Sequence, residues 1–294
     1  MIVENVRDVR RIERKRRLDR LFHVLFFAAT TIGLIALALL LVQVIRQGVH
    51  WLRPEFFTNF ASRIPERAGI KAALAGTLWL MLMTGPLTFV VGVATAVYLE
   101  EYARPDSRLA RLIRLNIANL AGVPSIVYGM LGLTVFVRFL DLKRGLLTGA
   151  LTLTLLVLPT MIVAAQEAIR AVPDRLRHAS LALGATRWQT VVRVVLPSAM
   201  PGILTGSILA LSRAIGETAP LIVIGAVTYV AFMPRNLFDS FTALPIQIYS
   251  WTALPKAEFQ ELAAAAIIVL LALLLGMNAL AIALRDRYRN RYRR

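Results

Sequence analysis

Six apolar runs, each long enough to cross a bilayer as a helix, divide the chain. A bilayer core about 30 Å thick needs about 20 helical residues. Apolar side chains in these runs fall on every face of the predicted helix, which is typical of a membrane span. The alternation of membrane β-barrel strands is not seen. The pattern predicts an all-α polytopic membrane protein with six transmembrane helices at about 21–45, 72–99, 115–139, 146–171, 201–230 and 262–284.

The polar segments between the runs set the organisation of the chain. The first apolar run follows about twenty polar residues and is too long for a signal peptide, so we expect an uncleaved span. Aromatic residues of the first outside loop are expected at the lipid interface. We predict a basic N-terminal segment at 1–20, a first span at 21–45, an outside loop at 46–71, a transmembrane core at 72–284 that includes an inside loop at 172–200, and a basic tail at 285–294.

Lys and Arg are concentrated on one side of the predicted spans. The N-terminal segment, the loops after the second and fourth spans and the C-terminal tail hold eight, four, five and six of them, against five, three and two on the other side. The positive-inside rule therefore predicts a multi-pass protein with both termini in the cytoplasm. A basic band at a membrane surface also explains the net charge of +17 without nucleic acid, for which no motif is found.

The chemistry-bearing residues exclude several kinds of site. The chain has no cysteine, so it forms no disulfide and no thiolate zinc site. Its three histidines, His23, His50 and His178, lie far apart in the sequence, and a histidine metal site is not expected. With no cluster of His, Cys or acidic residues at the ends of the spans, a membrane enzyme is disfavoured.

The loop between the fourth and fifth spans is predicted to form a helical knob. Asp174 is a candidate cap, and Gly184 a candidate stop, for a short helix with Leu176, Ala179, Ala182 and Leu183 on one face. A second short helix is predicted from Thr186 to Val195, with Pro197 and Pro201 at the entry into span five. Two interpretations stay open: a knob that docks on a partner, or a helix that lies on lipid headgroups.

The spacing within this loop resembles the EAA loop of permease subunits of binding-protein-dependent ABC importers. That motif is Glu-Ala-Ala, three residues, Gly, nine residues, then Ile, any residue and Leu-Pro. Here His178-Ala179-Ser180 is followed by Gly184, Val194 and Leu196-Pro197 at the same spacing. The resemblance implies the type I (MetI-like) permease fold. It also implies that the knob is a coupling helix that seats in a groove of a separate ATPase, through His178, Ala179, Ser180, Ala182, Leu183, Gly184 and Ala185.

ATP hydrolysis is expected on another polypeptide. A P-loop places Lys after two glycines so that the backbone amides and the Lys hold phosphates. The four lysines of this chain, Lys15, Lys71, Lys143 and Lys256, have no such context. We therefore expect no enzyme activity and no cofactor on this chain, with ATP and Mg bound by the partner ATPase.

Two further stretches resemble PstA-type permeases of phosphate importers. They are NLAGVPSIVYGMLGL at 119–133 and LSRAIGETAPL at 211–221, and the resemblance covers about residues 70–284. It implies a bacterial inner-membrane subunit that works with a sister permease of the PstC type, two copies of a PstB-type ATPase and a PstS-type phosphate-binding protein. Alternatives are a permease for molybdate or sulfate, and a stand-alone channel or secondary transporter.

Arg213 and Glu217 place two charges inside the fifth apolar run. Counted from Pro201 at 1.5 Å per residue, they lie about 18 Å and about 24 Å into the span. A central charge costs about 2.5–3.5 kcal/mol, so the pair is expected to face the protein interior or a wet cavity. One interpretation is a structural ion pair completed by Glu167 or a sister subunit. The other is a site on the anion path, with Thr218 as an additional donor.

Overall fold

The described part of the chain is a bundle of helices. The computed structural model describes residues 2–104, 107–226 and 229–291, and no strand forms within these ranges. Side chains are not described for 2–14, 16, 17, 284 and 288–291. The helices are α1 (Ile2–Gly48), α2 (Pro54–Thr58), α3 (Lys71–Val97), α4 (Arg108–Ala121), α5 (Ser125–Gly132), α6 (Leu146–Arg170), α7 (Asp174–Ala182), α8 (Arg187–Thr190), α9 (Leu196–Gly216), α10 (Ala219–Ile224), α11 (Leu244–Thr252) and α12 (Ala257–Arg291).

Wider π turns extend three of these helices. The turn Tyr98–Tyr102 continues α3, Leu133–Phe139 continues α5, and Val191–Val195 joins α8 to α9. Five helices of the described chain are long and apolar enough to cross a membrane: Leu18–Trp51, Lys71–Tyr102, Leu146–Arg170, Arg187–Gly216 and Ala257–Arg287. The bent pair α4 and α5 provides a sixth if it counts as one span, which agrees in number with the six apolar runs.

The third predicted span, 115–139, is wrong as a single straight helix. The chain bends by 110° between Arg108–Ala121 and Ser125–Phe139. Gly122 ends α4, and Pro124 is the residue before the first turn of α5. A proline disfavours helical geometry in the residue before it, so Val123 cannot continue α4.

The fifth predicted span, 201–230, is wrong at both ends. The helix begins at Arg187 and runs through Pro197 and Pro201 to Gly216. The predicted separate helix from Thr186 to Val195 is therefore the beginning of this long helix. Backbone hydrogen bonds in the π turn are shifted by one residue, which lets the helix continue into a proline-containing stretch.

The core of the bundle is the contact of α6 with α3 and α9. Small residues let the backbones approach, since a Cβ on Gly92 would lie 2.6 Å from the Met161 side chain. One turn further along α6, a Cβ on Gly206 of α9 would lie 2.4 Å from the Ala164 Cβ. Such close contacts are typical of helix packing in membranes. There the hydrophobic effect does not drive helices together, and close van der Waals packing between small residues does so instead.

The loop between α1 and α3, predicted to lie outside, is folded rather than spread on lipid. Phe56 is 3% exposed and packs in one cluster with Trp251, Phe259 and Leu262. The indole Nε1 of Trp51 donates to Glu261 at 2.8 Å. The expectation that the aromatic residues of this loop lie at the lipid interface is therefore wrong for Phe56, because α11 and α12 supply a core for it.

The N-terminal end of α6 is capped by the segment before α11. The amide N–H groups of Leu146 and Leu147 donate to the carbonyl oxygens of Asp239 and Leu237 at 3.2 and 2.8 Å. These bonds satisfy N–H groups that a helix start leaves free. The Asp239 carboxylate accepts the amide N–H groups of Arg235 and Asn236, which holds its pKa below the usual range.

Candidate translocation and coupling sites

The two sequence stretches at 119–133 and 211–221 meet in the structure. A Cβ added to Gly129 of α5 would lie 2.7 Å from the Cα of Pro220 and 2.9 Å from the Val223 side chain. This close backbone contact requires glycine at position 129. The broken third span and the short α10 therefore pack as one unit, beside the end of α9.

Arg213 and Glu217 form an ion pair at this junction. The Arg213 Nε donates to the Glu217 Oε1 at 3.2 Å. The Arg213 side chain is 48% exposed in this chain, whereas the Glu217 side chain is 15% exposed. The hydroxyl of Tyr128, on α5, lies within electrostatic range of Arg213. The guanidinium is thus held by one carboxylate and otherwise open at the surface of this chain.

The pair lies level with the middle of α6. α6 and α9 are antiparallel, with Gly202 against Ala168 and Gly206 against Ala164. Seven residues further along α9, Arg213 is level with Val157, which is eleven residues from the first residue of α6 and thirteen from the last. A charge this deep is costly in lipid, so the open side of Arg213 requires polar surroundings.

The helix breaks at the end of α9, four residues before Pro220. Glu217 has extended backbone geometry (φ −73°, ψ 123°), so the helix stops at Gly216. Thr218 is the cap of α10, and its hydroxyl contacts the Gly216 carbonyl at 3.4 Å. Helix breaks at membrane depth occur where protein or water surrounds the freed backbone groups.

A second polar contact fixes the opposite side of α9. The Ser212 hydroxyl lies 2.7 Å from the Ile208 carbonyl and 2.6 Å from the side-chain oxygen assigned to Asn278 of α12. One hydroxyl proton cannot serve both, so the Asn278 amide is best oriented with its nitrogen donating to Ser212. This contact borders an apolar cavity of about 500 Å³ between α3, α9 and α12, and it limits rotation of α9 beside Arg213.

The knob that resembles a coupling helix projects from the other end of α9. α7 has no buried residue, and Leu183 is 89% exposed. His178, Ala179 and Ala182 are exposed as well, while Ser180 and Ala185 are partly covered. The predicted face is therefore open in the isolated chain, as a docking surface requires.

Local chemistry sets the shape of the knob. Gly184 has φ +84° with no other group within 4 Å of a Cβ, so it ends α7 in the left-handed conformation that glycine favours. Thr186 and Gln189 form a capping box at the start of α8. Asp174 makes no cap hydrogen bond, contrary to expectation, and instead pairs with Arg177 at 3.0 Å.

A group of charged residues at the base of the knob was not predicted from the sequence. Glu100 and Glu101, at the end of the α3 span, contact Arg170 and Arg177 at 2.8 and 2.9 Å. The partners are about seventy residues apart in sequence, so spacing does not connect them. A signal was present in the sequence, because the two adjacent acids Glu100 and Glu101 interrupt a boundary that is otherwise rich in Lys and Arg and is predicted to lie inside.

The structure separates the two predicted sites. Arg213, Glu217 and Thr218 lie at one end of the 187–216 helix, and the knob residues lie beyond the other end. Glu167 does not join the Arg213 pair; it pairs with Arg170 at 3.1 Å near the knob. Its neighbour Ala168 lies opposite Gly202, about 16 Å along α9 from Arg213.

Known proteins share both the sequence and the fold. The chain is 34% identical over 266 residues to the probable ABC transporter permease protein YqgI of Bacillus subtilis, covering 86% of this chain and 88% of that protein. It is 36% identical over 248 residues to the phosphate transport system permease protein PstA 1 of Mycobacterium tuberculosis strain H37Rv, covering 83% and 79%.

A solved structure of the MetNI methionine ABC transporter gives the fold. It matches with a TM-score of 0.58 and 23% identity over 75% of this chain and 96% of that chain. The all-α, MetI-like fold predicted from the sequence is thereby confirmed. Residues 88–293 match the family described as the binding-protein-dependent transport system inner membrane component. The chain belongs to this family of ABC importer permeases.

Proposed function

We propose that the chain is the permease subunit of an ATP-driven inorganic phosphate importer. The observation that carries the proposal is the half-open Arg213, held by Glu217 at mid-bundle depth beside the break between α9 and α10. The PstA proteins that resemble the chain over most of its length support phosphate as the substrate. Permeases for molybdate or sulfate are the alternatives within this class.

Arg213 has the chemistry that a phosphate path needs. Its guanidinium stays charged and can donate two parallel hydrogen bonds to a phosphate. Glu217 compensates this charge when no anion is present, and an arriving anion exchanges with it. A carboxylate beside the site favours an oxyanion that still carries a proton, as phosphate does near neutral pH, over sulfate. The open side of Arg213 would face a sister permease of the PstC type across the path.

In this proposal the knob receives the energy of ATP hydrolysis from the partner ATPase. α7 and Gly184 would seat in a PstB-type ATPase, two copies of which serve the complex, and ATP and Mg would bind there. This arrangement puts the knob and both termini in the cytoplasm, as the distribution of Lys and Arg predicts. A PstS-type protein would deliver phosphate on the opposite side of the bacterial inner membrane.

Uptake of labelled phosphate by the complete complex in proteoliposomes tests the proposal. We expect Arg213→Gln to abolish uptake while the ATPase subunits still co-purify. Arg138→Gln, at an exposed arginine of the third span, is the matched control and should transport normally. Competition with arsenate, sulfate and molybdate identifies the anion. Normal uptake by Arg213→Gln would contradict the role of Arg213, and transport of sulfate or molybdate in place of phosphate would contradict the substrate.

A further inference from the structure

Arg177 anchors the knob with every donor it has. A guanidinium has five N–H groups. Here Nε and Nη2 donate to the Glu101 carboxylate at 3.1 and 2.9 Å, and Nη2 also donates to the Ile169 carbonyl at 2.9 Å. Nη1 donates to the Val172 carbonyl at 2.5 Å and to Asp174 at 3.0 Å. These bonds tie α7 to the end of the α3 span and to the last turn of α6.

A second arginine, Arg170 at the end of α6, completes the connection. The Arg170 Nε and Nη2 both donate to the Glu100 carboxylate at 2.8 Å, in a bidentate contact. Gln166 donates to the same carboxylate at 2.6 Å. The ends of the α3 and α6 spans are therefore locked to each other beside the point where Arg177 attaches α7.

Polar contacts carry this attachment because apolar packing does not. No residue of α7 is buried, so α7 has no hydrophobic face set into the bundle. The Ser180 hydroxyl bonds that of Thr190 at 2.9 Å, which links α7 to α8 but not to α3 or α6. Arg177 supplies the side-chain hydrogen bonds described here between α7 and the end of α6, and without them the chain at residues 171–173 remains as the covalent connection. Such a short connection permits rotation.

We infer that Glu100, Glu101, Arg170 and Arg177 form a rigid joint, here called the bracket, that converts movement of the knob into movement of α3 and α6. Arg177 is a positioning residue in this inference, since it acts through α7 and not on the transported anion. The inference rests on the proposed function for its transport readout. Bidentate, fully satisfied contacts suit such a joint because their geometry is specific as well as strong.

Transport per ATP tests the bracket in the complete complex. We expect Arg177→Met to keep the ATPase subunits bound and hydrolysing ATP, while phosphate moved per ATP falls at least tenfold. Glu101→Gln, which keeps the shape and one acceptor oxygen, should give an intermediate loss. Arg111→Met, at an exposed arginine of α4 outside the knob, is the control and should keep the wild-type ratio. An unchanged ratio in both Arg177→Met and Glu101→Gln would overturn the inference.

A distance measurement makes the test independent of the substrate. The chain has no cysteine, so Ala94→Cys on α3 and Arg175→Cys on α7 can carry two spin labels. With Arg177 present, we expect one narrow distance both without nucleotide and with trapped ATP. With Arg177→Met, the distribution should broaden. A narrow distribution in Arg177→Met would overturn the bracket, whereas absent phosphate transport by the wild type would overturn only the proposed function.

Discussion

Arg177 and Arg213 both face a carboxylate, but they are satisfied to very different degrees. Arg177 is 18% exposed and uses all five donors on carboxylates and backbone carbonyls. Arg213 is 48% exposed, and within the described residues its hydrogen bond is the one from Nε to Glu217. A saturated arginine fixes the elements around it, and an arginine with open donors can accept a ligand. Arg177 is the saturated arginine, at the base of the knob, and Arg213 is the arginine with open donors, in the middle of the bundle.

The largest expected effect comes from removing the partner of the open arginine. Glu217→Leu leaves Arg213 without its counter-charge at mid-bundle depth, and we expect a loss of stability of about 2.5–3.5 kcal/mol. Replacing both residues by Leu should recover most of this stability, since apolar substitutes for an ion pair are often tolerated, but should not recover uptake. Thermal unfolding of the purified complex and phosphate uptake measure the two outcomes.

Recovery of uptake by the double variant would make Arg213 structural, like Arg177. Arg213→Leu alone serves as the second control, because it removes the guanidinium and keeps the Glu217 carboxylate.

A medium effect on stability is expected where the stretches 119–133 and 211–221 touch. Gly129→Val places side-chain atoms where Pro220 and Val223 already lie, and overpacking of this kind costs about 1–3 kcal/mol. Because α10 carries the chain away from Glu217, uptake should fall as well. Gly276→Val is the matched control, since no other group lies within 4 Å of a Cβ there. Equal unfolding temperatures of the two variants would show that the contact at Gly129 is not needed.

The smallest effect on stability and transport is expected at Glu167, an exposed residue beside the bracket. Glu167 is 66% exposed and pairs with Arg170 at 3.1 Å. Exposed pairs contribute about 0.2–1 kcal/mol, so Glu167→Gln should change the unfolding temperature and the transport ratio very little. A drop in transport per ATP as large as that of Arg177→Met would extend the bracket to Glu167.

The periodic features of the sequence predicted the fold well. Apolar length gave the number of spans, and Gly184 with its flanking residues located the knob, because these signals are local. The break between α4 and α5 was harder, since Gly122 and Pro124 predict a bend but not its size. The start of the fifth span at Arg187 was missed because two prolines suggested an interruption that the π turn accommodates.

The candidate sites also contain contacts that local spacing predicts and contacts that depend on the whole fold. Arg213 and Glu217 could be paired from their four-residue spacing. The contacts of Arg177 could not, because Glu101 comes from another helix and the carbonyls belong to turns whose geometry depends on the whole fold. The contact of Ser212 with Asn278 of α12 could not be predicted either, because the two residues come from different helices.

The unbroken helix from Arg187 to Gly216 has a geometric consequence as a lever. Its 30 residues connect the knob directly to the arginine pair, and Arg213 lies about 39 Å from the first residue at 1.5 Å per residue. Over that length, a tilt of only about 5° displaces Arg213 sideways by about 3 Å, roughly the length of one hydrogen bond. A small angular change at the knob would therefore move Arg213, together with Glu217, by about one hydrogen-bond length relative to the neighbouring helices.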